Sequence, residues 1–391
     1  MSWNDDIAYA MTPSKLFTLP LGVWPLQKYN TFALVRVLVC GFLMSSMMIT
    51  LFLEINFGSS DAYVKVDALM LMSCNILCVL KLILYRFYAD NLIRNFSSAV
   101  KDYLAIDNEW KRIIMRRHAF MGRIVCYICV LSTYVCALIW TIMPMLADDG
   151  EDIQVNVTIK NQVSELPVPV TFLGDPDIPT GIYFVIVTMQ LFILMLTGTS
   201  NCGNDSLFFA IVLHICGQME LLKTEFNKYG IIDKDISDNF SILASRHHYL
   251  MENAKLLTDV ISSVLLVQLV FSCLIISFIG FQFILALKVN DAVMIIKSVA
   301  VLTSLTLQLF FYSFVGDYLK CQMEDIADSI YTSNWYRLPT KLMRNVLFVM
   351  VRSQQPVQLL AGNFFLVNMK TFMNILKSSL SYLSVLRVMV E

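Results

Sequence analysis

Charged residues are scarce in this sequence of 391 residues. Asp, Glu, Lys and Arg make up 15% of the chain and hydrophobic residues 57%, whereas roughly 25% of a soluble domain is charged. A soluble protein of this length needs no such excess of apolar residues to build its core. The excess predicts an integral membrane protein. The net charge of −1 gives no indication of a nucleic-acid partner.

The sequence also lacks the signals of secretion, catalysis and metal binding. Asp5 and Asp6 stand where a signal peptide needs basic residues. No HExxH, GxSxG, Walker loop or GxGxxG occurs. Cys126 and Cys129 form a CxxC inside an apolar run, without a second pair at zinc-ligand spacing. We therefore expect no enzyme, no cofactor and no metal, and we expect most cysteines to be small buried hydrophobic residues.

Seven apolar runs are long enough to cross a bilayer. The fourth is too long for one simple crossing, so we expect it to continue past the membrane to about Tyr229, with a bend or a change of environment at 197–201. The predicted fold class is an all-α membrane protein with seven transmembrane helices. The runs are Phe32–Leu53, Val66–Tyr85, Ile124–Leu146, Ile182–Cys216, Val260–Leu287, Ala292–Phe314 and Val357–Val390.

The two connections on either side of the third run differ in charge. The connection before it is rich in Lys and Arg, and the one after it has a single cation, Lys160, among many acids. Because basic residues collect on cytoplasmic loops, this predicts a cytoplasmic N-terminus and an extracellular C-terminus. Asn156 begins a glycosylation acceptor sequence in the acidic loop, which agrees. G-protein-coupled receptors have the opposite orientation.

Polar residues in the last run recur at steps of three and four, which places them on one stripe of a helix. A lysine at the bilayer centre costs roughly 2.5–3.5 kcal/mol, so the stripe must meet water or polar partners. Hydrogen bonding between helices is the alternative to a water-lined pore. Beyond the stripe, Val385, Val388 and Met389 supply the apolar collar that a dewetting gate needs. The stripe consists of Asn363, Lys370, Asn374, Lys377, Ser381 and Ser384.

Short motifs follow one another in a recognisable order. Gly22-Val23-Trp24-Pro25 lies near the N-terminus, and the others lie in the C-terminal quarter, where order and spacing resemble the insect odorant receptor family. Leu380 departs from the tyrosine of many members. Val388-Met389 replaces the Gln-Phe of the related gustatory receptors, which favours the odorant branch. The C-terminal motifs are Tyr312–Asp317, Ala327–Tyr331, Asn334–Tyr336, Arg352–Pro356, Ala361–Phe364 and Ser381-Tyr382.

The resemblance implies an odorant-binding subunit of a nonselective cation channel in the plasma membrane. Such subunits form a heterotetramer with a shared coreceptor. The family's gate positions match Val385 and Met389, and the implied subunit interface contains Tyr331, Trp335 and Tyr336. The implied pore lining consists of Lys370, Asn374, Lys377, Ser381, Ser384 and Val388.

The resemblance also implies a closed apolar pocket for a small hydrophobic odorant, in the outer half of the membrane among spans two, three, four and six. Binding there comes mainly from burial of apolar surface. Ordinary helix packing is the alternative for each residue. The candidates are Met70, Cys74, Tyr134, Ala137, Trp140, Tyr183, Val187, Gln190, Val301 and Ser304.

These expectations divide the chain into four parts, with membrane lipid around the helices. A cytoplasmic segment, 1–31, precedes spans one to six, 32–315, which include the pocket and the acidic loop 147–181. A cytoplasmic anchor, 316–356, leads to a pore-lining helix, 357–391. A gustatory-type receptor channel and a seven-helix metabotropic chemoreceptor are the alternatives. The unequal spans show none of the internal symmetry of a transporter.

Overall fold

Ten α-helices account for most of the chain in the computed structural model, which describes residues 5–58, 62–148, 166–171, 179–228 and 236–390. The all-α membrane fold is confirmed. A short 3-10 helix, Trp335–Arg337, follows α8. The helices are α1 Asp5–Thr18, α2 Thr31–Phe57, α3 Ala62–Phe87, α4 Ala89–Leu104, α5 Glu109–Asp148, α6 Thr180–Lys228, α7 Ile236–Val289, α8 Ala292–Thr332, α9 Thr340–Ser353 and α10 Met369–Val390.

Six helices, α2, α3 and α5 to α8, are long and apolar enough to cross a membrane within the described ranges. Most extend past the predicted runs. The 49 residues of α6 span about 74 Å at 1.5 Å per residue, against roughly 30 Å of hydrocarbon. It ends at Lys228, close to the predicted end, and is continuous through 197–201. The long ends of α6, α7 and α8 meet on one side of the bundle, where Lys223 pairs with Asp325 at 2.7 Å.

The predicted seventh span is wrong at its beginning. Residues 357–368 do not continue the last helix; instead β1, Leu360–Ala361, pairs antiparallel with β2, Phe365–Leu366. Asn363 therefore lies outside the helical stripe, in the turn between the strands, with φ 61° beside Gly362 at 59°. This left-handed backbone is easy for Gly and tolerated by Asn. The Gly362 N–H donates to the carbonyl oxygen of Ser262 in α7 at 3.0 Å, which fixes the turn against α7.

The N-terminal helix α1 packs against α5 and α6. Asp6 pairs with Arg112 at 2.7 Å and with Arg116 at 2.8 Å, so α1 offsets part of the basic charge that precedes the third span. Gly22 has φ 76° where the chain turns from α1 toward α2, and a Cβ there would lie 2.4 Å from the Ala33 carbonyl oxygen. Trp24, from the same motif, is buried edge-on against Phe96.

All ten cysteines are free thiols, and most are buried or half-buried. Cys202 lies at the centre of α6 with 1% of its surface exposed. The core runs along the middle of α6, where the consecutive residues Leu207, Phe208 and Phe209 are fully buried. Because α6 is surrounded by other helices, it is the element against which the candidate site is built.

Candidate ligand-binding site

A mainly apolar cavity of about 120 Å³ lies among α3, α5, α6 and α8. These are the second, third, fourth and sixth spans. A cavity of roughly 150 Å³ holds a benzene-sized molecule in another protein, so this one suits a ligand of similar size. Its lining residues are Met70, Leu71, Cys74, Cys78, Thr133, Cys136, Ala137, Trp140, Leu194, Thr197, Gly198, Asn201, Val301, Ser304 and Leu305.

Six of the ten predicted pocket residues line this cavity: Met70, Cys74, Ala137, Trp140, Val301 and Ser304. The other four lie on the same helices but outside the lining. The Tyr134 hydroxyl is 2.7 Å from the Thr199 hydroxyl, while Tyr183 and Val187 are buried in helix packing. The Gln190 side chain is committed to backbone groups outside α6, as described next.

A short segment, Leu166–Thr171, packs against Trp140 and Gln190 beside the end of the cavity near the C-terminus of α5. The Trp140 indole donates to the Pro167 carbonyl oxygen at 2.9 Å. Gln190 accepts from the Val168 N–H and donates to the Val168 carbonyl oxygen, both at 3.1 Å. The Lys297 ammonium lies 5.1 Å from the centre of the Trp140 ring, within the range of a cation–π contact. Trp140 is thus fixed on one side while it lines the cavity on the other.

The opposite end of the cavity is built on a buried ion pair. The Lys81 ammonium is 2.6 Å from Asp205 Oδ1, and both side chains are 0% exposed. Lys81 also donates to Asn201 Oδ1 at 2.6 Å, and Asp205 accepts from Gln308 and Tyr312. A buried pair is tolerated only when further hydrogen bonds satisfy both charges, and this network supplies them. Lys81 is therefore held inside the bundle and not at the membrane surface.

Helix α8 connects the cavity wall to the last helix. Val301 and Ser304 lie on α8, and farther along the same helix the Asp317 carboxylate accepts from the Met369 N–H at 2.9 Å. The distance along α8 from 301 to 317 is about 24 Å at 1.5 Å per residue. Gly316 makes the approach possible, because a Cβ there would lie 2.2 Å from the Val367 carbonyl oxygen. A carboxylate at a helix N-terminus caps the free N–H groups and favours the helix dipole.

Among the described side chains of α10, those on one face are exposed and those on the opposite face are buried. The buried face includes Phe372 and Ser379, and the Ser379 Oγ lies 3.9 Å from the Cys273 Sγ of α7. Val385, Val388 and Met389 fall within the helix, and their side chains lie outside the described part of the chain. The exposed face carries Lys370, Asn374, Lys377, Ser381 and Ser384.

The predicted interface residues lie at the end of α8 and in the 3-10 helix. Tyr331 is 66% exposed and Tyr336 59% exposed in the single subunit. Trp335 is half-buried, and its indole N–H donates to the Tyr331 carbonyl oxygen at 3.2 Å. The structure brings these three together on one surface. Asn156, the predicted glycosylation site, lies outside the described residues.

The sequence did not reveal the roles of three residues. Asn201 lines the cavity, Asp205 pairs with Lys81 beside it, and Asp317 caps α10. The run Thr197–Asn201 was interpreted as a bend rather than as cavity wall. The signal available was the polarity itself, because Asn201 and Asp205 lie inside a membrane span, where such groups need polar partners. Lys81, which is the partner of Asp205, is 124 positions away in the chain. Sequence spacing alone does not reveal such a pair.

The all-α bundle of membrane-crossing helices around an apolar cavity defines a multi-pass membrane protein with room for a small ligand. Residues 64–380 match the family described as 7tm odorant receptor. The chain belongs to that family.

Among curated proteins, the chain is 25% identical to odorant receptor 2a of Drosophila melanogaster over 235 residues, which cover 57% of this chain and 59% of that receptor. It is 28% identical to odorant receptor 9a of the same species, over 47% of this chain and 46% of that receptor. The chain thus spans about half the length of the curated relatives it matches.

Among solved structures, the chain is similar to the insect olfactory receptor OR5 from Machilis hrabei in complex with eugenol. The TM-score is 0.79 with 15% identity, covering 99% of this chain and 100% of the other. A second structure of the same receptor also matches, with a TM-score of 0.79 and 14% identity, over 98% and 99% of the two chains. At such identity the similarity shows the fold alone.

Proposed function

We propose that this chain is the odorant-binding subunit of a ligand-gated nonselective cation channel, and that it assembles with the odorant receptor coreceptor in the plasma membrane. The observation that carries the proposal is the cavity among α3, α5, α6 and α8. It is mainly apolar, with Trp140 at one end and the polar network around Lys81 and Asp205 at the other. Small hydrophobic odorants are the ligands that such a cavity accepts.

A direct route leads from this cavity to the proposed pore. Helix α8 forms part of the cavity wall and also caps the N-terminus of α10 through Asp317. A ligand that favours one position of α8 therefore biases the position of α10. The shift in population cannot exceed the ligand's differential affinity for the two states.

The exposed polar face of α10 supports the pore role. Lys370, Asn374 and Lys377 face away from the bundle, so they are not used in packing within the subunit. In a membrane such a face needs water or the polar faces of neighbouring subunits. Four copies of such a helix around one axis would enclose a polar conduit, with Val385 and Met389 as its apolar gate.

The experiment for this proposal compares two adjacent residues of α8. Ser304 lines the cavity, whereas Thr303 is exposed on the outside of the helix. With a coreceptor present, we expect Ser304→Leu to abolish currents evoked by an odorant panel, because the larger side chain fills the cavity. Thr303→Leu should retain them at similar surface expression.

Expression without the coreceptor should give no odorant current if assembly is required. A full odorant response in Ser304→Leu would contradict the cavity as the binding site. Odorant-evoked second-messenger signals without current would instead favour a metabotropic receptor.

Assembly has its own test at the aromatic surface formed by Tyr331, Trp335 and Tyr336. Because Trp335 is only half-buried in the subunit, we expect Trp335→Ala to leave the fold intact and to reduce co-purification with the coreceptor several-fold. Truncation of a Trp in a packed site costs roughly 3–5 kcal/mol. The share of this cost that comes from the part of Trp335 exposed in the single subunit would be lost from assembly. Unchanged co-purification would place the interface elsewhere.

The orientation follows from the charges. Arg112 and Arg116 lie beside Asp6 of the N-terminal helix, so the N-terminus lies at the basic end of the bundle, which the charge rule places in the cytoplasm. An epitope tag at the N-terminus should be hidden in intact cells and one at the C-terminus accessible. An accessible N-terminal tag would contradict this orientation.

A further inference from the structure

Asn201 differs from the hydroxyl residues of the cavity wall in having an amide nitrogen whose two N–H groups are not both used by the contacts described. The Thr133 hydroxyl donates to the Val130 carbonyl oxygen at 2.8 Å. The Thr197 hydroxyl lies 2.9 Å from the Ile193 carbonyl oxygen, and the Ser304 hydroxyl lies 3.1 Å from the Ser132 hydroxyl. These hydroxyls are satisfied by their own surroundings.

The chemistry of Lys81 fixes the orientation of the Asn201 amide. An ammonium group has three donors and no acceptor, so the amide atom 2.6 Å from Lys81 Nζ must be the oxygen. The amide nitrogen is thereby turned away from Lys81. Its contact with Gln308 Oε1 is long, at 3.5 Å, and an amide nitrogen carries two N–H groups. At least one donor is left for the cavity, which Asn201 lines.

The ion pair keeps this donor in place. Lys81 is held by Asp205 at 2.6 Å on its other side, and Asp205 is held by Tyr312 and Gln308 of α8. The amide therefore cannot flip without leaving a buried ammonium with one partner fewer. A donor with a fixed direction in an apolar cavity is the arrangement that discriminates ligands by a single polar atom, because an unpaired buried donor is costly.

We propose that Asn201 selects odorants that carry a hydrogen-bond-accepting oxygen, such as small ketones, aldehydes, esters or alcohols, over hydrocarbons of the same shape. The inference rests on the proposed function, because it takes the cavity to be the odorant site. Lys81 and Asp205 are positioning residues that hold the amide. The volume of about 120 Å³ limits the ligand to about the size of benzene.

The test uses two probes that differ in one atom of the same shape: cyclohexanone, with a ring C=O, and methylenecyclohexane, with a ring C=CH₂. Binding of each is measured by tryptophan fluorescence on the purified full-length chain in detergent, and Ser304→Leu gives the background from partition into micelles. A net hydrogen bond contributes about 0.5–1.5 kcal/mol, which corresponds to a factor of roughly 2–13 in affinity. We expect wild type to prefer cyclohexanone about tenfold.

Two variants remove the donor in different ways. Asn201→Leu deletes the amide, and Asn201→Asp keeps an oxygen for Lys81 while removing the N–H groups. In both, the preference for cyclohexanone should fall to about one, with the affinity for methylenecyclohexane retained in Asn201→Leu. Thr188→Val is the matched control, because Thr188 lies on the same helix with an exposed side chain that bonds only to the Phe184 carbonyl oxygen among its described contacts. It should keep the tenfold preference.

The outcomes separate this inference from the function on which it rests. Equal binding of the two probes by wild type, or an unchanged preference in the Asn201 variants, overturns the role of Asn201 and leaves the cavity as a ligand site. Failure of wild type to bind either probe above the Ser304→Leu background overturns both. The wild-type ratio does not depend on the Asn201 variants, so misfolding of those variants does not protect the proposal.

Discussion

Two regions of the molecule, the bundle of membrane-crossing helices and the last helix α10, place lysines in opposite environments. In the helix bundle, Lys81 is 0% exposed and 2.6 Å from Asp205. On α10, Lys370 and Lys377 lie on the exposed face of the subunit. Lys81 is shielded from water and is neutralised by Asp205. Lys370 and Lys377 remain on the outer surface of the subunit. We therefore propose that the exposed face of α10 meets water or another subunit rather than lipid.

The largest expected effect comes from breaking the buried pair. Lys81→Met leaves the Asp205 carboxylate buried without its counter-ion, which costs about 3–5 kcal/mol. Lys377→Met removes an exposed charge and should change stability little. We expect a large fall in the unfolding temperature in detergent, and in surface expression, for Lys81→Met alone. The double variant Lys81→Met/Asp205→Asn should recover part of the loss, because it removes the uncompensated charge. Equal stability of the two single variants would show that the bundle and α10 do not differ in this way.

The next effect concerns the gate. A polar side chain in a narrow apolar ring stabilises water there and wets the closed state. We expect Val385→Gln or Met389→Gln, co-expressed with a coreceptor, to give a larger current in the absence of odorant. The effect is partial if the coreceptor keeps its own apolar gate residues. Currents that stay silent at rest, with wild-type block by pore cations, would argue that neither residue forms the gate.

The smallest effect comes from reversing one charge on the exposed face of α10. Lysines there oppose the passage of cations, and physiological salt screens exposed charges beyond about 8 Å. Lys377→Glu should therefore raise cation conductance modestly without changing odorant potency. The measurement is single-channel conductance together with the odorant concentration for half-maximal current. A change in potency at constant conductance would place Lys377 against the bundle rather than the pore.

The sequence predicts the helices well and the polar contacts poorly. Apolar runs locate the spans because burial in lipid requires them, yet α7 begins at Ile236, 24 positions before the predicted Val260. A helix can continue beyond the membrane where its residues pack against other helices. Hydropathy measures only the apolar run, so it does not predict this extension. The hairpin at 360–366 was missed because its residues are largely apolar, although Gly362-Asn363 is a turn signal.

The cavity shows the same limit in finer detail. The resemblance implied Met70, Cys74, Val301 and Ser304 as pocket residues, and those residues do line the cavity. Tyr134 and Gln190 lie outside the lining, where Tyr134 bonds to Thr199 and Gln190 to Val168. Such partners depend on the tertiary arrangement, as the pairing of Lys81 with Asp205 does. Periodicity identifies the face of a helix, and only the fold identifies what lies against it.

The most direct test of the central claim compares two serines on opposite faces of α10. Ser381 is exposed beside Lys377, and Ser379 is 3% exposed and faces α7. Ser381→Cys and Ser379→Cys are each expressed with a coreceptor and treated with a positively charged thiol reagent, with wild type giving the background from the native cysteines. If the exposed face lines the pore, the reagent should block the odorant-evoked current of Ser381→Cys rapidly and leave that of Ser379→Cys at the wild-type rate. Equal rates of block at the two positions, or block at Ser379→Cys alone, would contradict the account.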